Sequence, residues 1–442
     1  MQALLSFEQA PPMAAPFRFF VTAPLFVVLA GLLLVVIGPD MLASRWTPGV
    51  LALTHLLAIG FMLQVMLGAM IQILPVVAGA NMRRPLAVAR IVHLLVTAGA
   101  LCLASGFLDL WPAAYMAAIG LLGIGTGLFL VAAIDSLCAV PSTSATIAGF
   151  KLALVGLFGV ASLGLALAGG LAGEWTVPFV ELTQLHANWG LAAWGLGLLS
   201  AVAYVVVPMF QLTPGYPAWF SRYFGWAVLA LVGLLSLVLL LWGEEPAGVF
   251  QSVIVALSAA FCGMTLALQA RSKRARPDAT QRFWRLAMFC GLAACLLWAL
   301  AHMLPVFDYL NSWPLVFGVL LFAGGFMSVI VGMLYKIVPF LVWLHLQNRG
   351  QGRVTAPNMK MVLPEAPMLR HYRIHLGTCL LLLAATLLPS WLARPAGVML
   401  ALSGVMLAYN LRLAAGVYRR HLRIVDATLA ADAAGVSLKE ER

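Results

Sequence analysis

The sequence predicts an all-α integral membrane protein, twelve transmembrane helices arranged as three four-helix repeats. Three observations carry that class. Of 442 residues, 63% are hydrophobic and 9% charged, with mean hydropathy +1.00. Soluble domains carry about 25% charged residues, so water-soluble, disordered, collagen-like and disulfide-scaffold proteins are all excluded. Twelve apolar runs approach or exceed the roughly 20 residues that cross a bilayer as a helix. None shows the apolar–polar alternation of barrel strands, and stretches such as 229–242 are apolar nearly all round. A helix satisfies its own backbone in hydrocarbon, so the chain reads as one membrane domain over 1–442.

The first run, 19–38, has full span length and no Lys or Arg before Arg18, so it reads as a retained helix and not a secretory leader. Next come 50–80, 86–108 and 111–134, closing a first block at about 18–135. The second block, 146–270, holds runs 146–172, 183–210, 223–243 and 247–270. Its glycine-rich text from Gly156 to Gly173 suits close helix packing. The third, 282–418, holds 283–306, 313–345, 374–392 and 395–418, followed by a polar tail at 424–442.

Basic residues of short loops stay on the cytoplasmic side. With the amino terminus inside, every Lys and Arg except Arg45, Arg394 and the intrahelical Lys336 falls inside. The expectation is a multi-pass protein of a bacterial-type inner membrane with both termini cytoplasmic. The net charge of +11 is then explained by topology and anionic headgroups, not by nucleic acid.

The repeat is written in the second, sixth and tenth runs. They read Gly60-FMLQVMLGAMIQIL-Pro75, Trp194-GLGLLSAVAYVVV-Pro208 and Gly325-FMSVIVGMLYKIV-Pro339. The three prolines are separated by 133 and 131 residues, and each lies in the second helix of its block.

Ionisable groups in a bilayer are costly and mark candidate sites. His55 and His186 enter at similar depth on the second and sixth runs, and His302 lies near the outer end of the ninth. These three share the external third of the membrane. Neutral imidazole is the commonest metal ligand, so His55 and His186 are candidate metal ligands, and the three together candidate cofactor-binding residues. The competing reading gives each a hydrogen bond to a backbone carbonyl or headgroup. His93 belongs to the inner part of the third run, while His345, His371, His375 and His421 are expected at the inner interface among arginines. Gln72, Tyr204, Tyr335 and Lys336 form a candidate polar path, with interhelical packing as the alternative. The six cysteines lack C-x-x-C spacing, and no P-loop, G-x-S-x-G or H-E-x-x-H motif occurs.

Twelve helices in three blocks, with Thr54-His55-LLAIGFMLQVMLGAMIQILPVVAG in the second, resemble subunit I of the haem–copper oxidase and nitric oxide reductase superfamily. The texts His186-ANWGLAAWGLG and GGFMSVIVGMLYKIVPFL resemble that family's helices 6 and 10. The resemblance implies a low-spin haem on His55 and a copper ligand at His186, so haem b and copper are the candidate cofactors. The family's adjacent helix 7 histidines are missing from Phe224-Gly-Trp-Ala-Val, and its helix 10 His-x-His from Trp313 to Phe322. An oxygen- or nitric oxide-reducing binuclear centre is therefore not expected. A looser similarity runs to NnrS-type membrane proteins of nitric oxide stress. Two readings follow: a non-catalytic haem- or metal-binding relative with a respiratory or electron-transfer partner, or a cofactor-free transporter or channel on the same fold.

Overall fold

The computed structural model describes residues 9–141, 143–350 and 353–433, and every regular element among them is a helix. Eleven helices are long and apolar enough to cross a membrane. In chain order they begin with α1 (Ala14–Ala43), α2 (Pro48–Ala78), α3 (Pro85–Phe107), α4 (Ala114–Cys138) and α5 (Ala145–Leu171). After these come α6 (Phe179–Gln211), α7 (Ala218–Trp242), α8 (Glu244–Ala270), α9 (Ala279–Met303) and α10 (Trp313–Gly350). A further long helix, α11 (Glu365–Leu387), precedes the last, α12 (Pro389–Ala433). Arg370, His371, Arg373 and His375 lower the hydropathy of α11 below that of the others.

The expected bounds need correction near the carboxyl end. The break between the last two helices falls at Leu388, not at 393–394, because Pro389 opens α12 where a missing N–H leaves no bond unmade. Helix α12 continues to Ala433 through the first half of the expected tail, and 434–442 lie outside the described residues.

Helices α2, α6 and α10 form the interior. Their most apolar windows are 61%, 61% and 56% buried, against 17–44% in the other candidate spans. Around them α1 packs on α2 and α12, α3 on α4, α4 on α5, and α7, α8 and α9 on one another in turn. The first and last spans meet without intervening side chains. A Cβ on Gly31 would stand 2.5 Å from the Gly397 carbonyl oxygen and closer still to the Ala401 nitrogen. Overpacking typically costs about 1–3 kcal/mol, and here the obstacle is backbone, which cannot rotate away. Gly31→Val is therefore expected to lower the thermal-unfolding midpoint in detergent clearly. Gly120→Val, whose added Cβ would meet nothing within 4 Å, should change it far less; equal shifts would refute the close crossing.

Each interior helix contains an eight-residue π-helical segment: Leu56–Leu63 in α2, Trp189–Leu196 in α6 and Leu320–Met327 in α10. Each begins 19 residues before its proline, Pro75, Pro208 or Pro339. π segments widen a helix and are concentrated at functional sites. Glycines admit neighbours there: a Cβ on Gly195 in α6 would stand 2.9 Å from the Phe326 ring of α10.

A candidate imidazole pair and a buried polar network

His55 ends the α-helical first part of α2, and His186 precedes the π segment of α6 by three positions. The fold brings the two rings together, their centroids 6.2 Å apart and their planes inclined by 20°. Each Nδ1–H donates to a backbone carbonyl, His55 to Leu51 at 2.8 Å and His186 to Val160 at 3.1 Å. Such bonds fix the tautomer and leave Nε2 with its lone pair. Among the described residues neither Nε2 has a hydrogen-bond partner. Gly164 makes room for the His186 ring, since a Cβ there would approach its Cε1 to 2.9 Å. Phe107 closes the other side of His55, with ring centroids 4.9 Å apart.

The spacing suits a shared ion. Two imidazoles bound through nitrogen at about 2.0–2.1 Å place their centroids about 6.3 Å apart when ligation is linear, and about 5 Å apart when it is tetrahedral. The observed 6.2 Å, between rings inclined by 20°, is close to the first of these lengths, so His55 and His186 are the residues that would hold such an ion. No group of three or more His, Cys, Asp or Glu residues suited to a metal occurs among the described residues. A tetrahedral zinc site with three protein ligands therefore does not fit.

His302 stands apart from the pair. Its ring lies on Trp298, centroids 4.0 Å apart, and its Nδ1 donates to the Trp298 carbonyl. His93 bonds the Thr22 hydroxyl at 2.9 Å. The four path residues are joined by no hydrogen bond to one another. Among the described residues the Gln72 amide and the Tyr204 hydroxyl are buried without a hydrogen-bond partner. Tyr204 meets Tyr216 edge-on. Tyr216 lies in the connection after α6, where burial raises its phenol pKa above the ordinary value. Lys336 reaches Asp278 at 2.8 Å, and Arg274 shares that carboxylate at 3.2 Å.

Two histidines expected at the interface are fully buried instead. His371 and His375 are 0% exposed, on the face of α11 turned toward α10 and α12. They belong to one hydrogen-bonded chain with a single consistent direction. Asn410 Nδ2 donates to Tyr335 Oη at 2.7 Å, and the Tyr335 hydroxyl to His371 Nδ1 at 2.5 Å. His371 Nε2 donates to Ser403 Oγ at 3.0 Å, and Ser403 to His375 Nδ1 at 3.4 Å. His375 Nε2 donates to Ser328 Oγ at 2.8 Å, whose own proton goes to the Ala323 carbonyl in the α10 π segment. The signal available in sequence was the i, i+4 run His371, His375, Cys379, which places all three on one helix face.

The chain matches no protein-family model, and no curated protein is significantly similar to it.

Proposed function

We propose that this multi-pass membrane protein is a non-catalytic, oxidase subunit I-like protein in which His55 and His186 hold one redox metal, a haem iron or copper(I), between them. The observation that carries the reading is the paired imidazoles at 6.2 Å with both Nδ1 atoms committed to backbone carbonyls. A redox metal held by His55 and His186 would supply one-electron chemistry, which suits service to an electron-transfer partner in respiratory or nitric oxide metabolism. Leu51 and Val160 orient the ligands, and Gly164 and Phe107 shape their cleft. The identical placement of three π segments supports three four-helix repeats. The distribution of Lys and Arg supports cytoplasmic termini in a bacterial inner membrane.

The test is an absorption spectrum, oxidised and dithionite-reduced, of protein purified from haem-replete cells, with iron and copper counted on the same sample. A Soret band that moves on reduction, with stoichiometric iron, is expected for haem, and stoichiometric copper without it for copper(I). Colourless, metal-free protein would sink the reading and leave transport as the function to assay.

A further inference from the structure

A cavity of about 550 Å³ runs between α6, α8, α9 and α10, away from the imidazole pair. Its mouth is polar, with Arg45, Asn188, Gln251 and the bonded pair Gln184 and Glu244. Its deeper wall is apolar, formed by Leu196, Leu199, Phe261, Met288 and Val329. The lining runs from Val180 to Leu199 on α6 and from Glu244 to Cys262 on α8, about 27–29 Å at helical rise. Set against a hydrocarbon core of about 30 Å, that length accommodates one extended hydrocarbon chain. The deep part offers a polar ligand little, since the Ser258 hydroxyl is already bonded to the Ile254 carbonyl.

A second cavity adjoins the first. Val255, Cys295, Trp298 and His302 line both it and a second cavity between α8 and α9. That second cavity is bounded by Leu296 and Met303, which are 61% and 77% exposed on the outer, lipid-facing surface of the bundle. Arg45 and Glu244 at the mouth carry opposite charges, which favours a head of no net charge.

We infer that this shaft is a binding site for a single-chain membrane amphiphile, one hydrocarbon chain in the apolar shaft and an uncharged or zwitterionic head at the mouth. An acyl lysolipid and an isoprenoid quinone share that chemistry. The site is independent of the metal reading.

Lipids extracted from protein purified in mild detergent are to be identified by mass spectrometry, and native spectra recorded in parallel. Wild-type protein is expected to retain one such molecule in stoichiometric amount. Ala187→Trp and Gly248→Trp, which fill the mouth, should lose it, while Ala260→Trp, which lines neither cavity, should keep it. The retained species separates a lysolipid from a quinone. Equal lipid content in all four proteins, or bound lipids with two chains only, would overturn the site. Should the filled variants fail to fold, wild-type protein alone decides. N-ethylmaleimide labelling of Cys295, mapped by peptide mass, should slow with added palmitoyl lysophosphatidylcholine or decylquinone. An unchanged rate with both overturns the proposal.

Discussion

Replacing His55 by Ala is expected to abolish the reduced-minus-oxidised difference spectrum and bring bound metal down to background, and His186→Ala to do the same. The two imidazoles have no spare protein ligand to substitute, because among the described residues no third His, Cys, Asp or Glu is grouped with them. Loss of either should therefore be close to complete, larger than the 10- to 100-fold losses typical of outer-shell changes. His302→Ala should leave the spectrum intact, since its ring rests on Trp298 and makes no contact with the pair. Added imidazole should restore part of the signal in His55→Ala, where the emptied volume beside Phe107 can admit it. If His302→Ala removes the metal and His55→Ala does not, the ligand assignment is wrong.

The all-helical, multi-pass class was legible because hydropathy measures the property that the bilayer selects, and eleven helices among the described residues are apolar enough to span. The facing of His55 and His186 was legible in part: equal depth on two helices follows from counting residues, whereas adjacency depends on how α2 and α6 pack. The π segments were hidden, since an apolar run has the same composition whether its bonds span four residues or five. Their spacing from Pro75, Pro208 and Pro339 reinforces a repeat read first from proline and glycine alone. His371 and His375 were misplaced for a different reason. Neighbouring Arg370 and Arg373 lower the local hydropathy, and an average over the run cannot tell that the arginines and histidines occupy different faces of α11. The cavity beside α8 and α9 has no counterpart in composition at all, because it is a property of how four helices leave space between them.

Tyr335→Phe is expected to destabilise the protein by about 2–6 kcal/mol, since a buried donor or acceptor left unmade costs about 1–3 kcal/mol and this change strands two. Asn410 Nδ2 loses its acceptor and His371 Nδ1 its donor, and Asn410 Oδ1 is already unpaired. Unfolding of a protein this size in detergent is governed by rate, so the readout is the half-life at elevated temperature, which should shorten sharply. Tyr409→Phe, at a 54% exposed position on α12, should leave it unchanged. Replacing both partners by apolar groups removes the stranded atoms, so Tyr335→Phe with Asn410→Leu should recover part of the loss. The same chain bears on conduction. Its ends are a side-chain amide and the Ala323 carbonyl, neither of which titrates, so a proton entering at Tyr335 has no acceptor beyond Ser328. The network thus ties α11 and α12 to the π segment of α10, and Tyr335 serves in holding those helices together. A half-life of Tyr335→Phe equal to wild type would remove that role and return Tyr335 to the polar path.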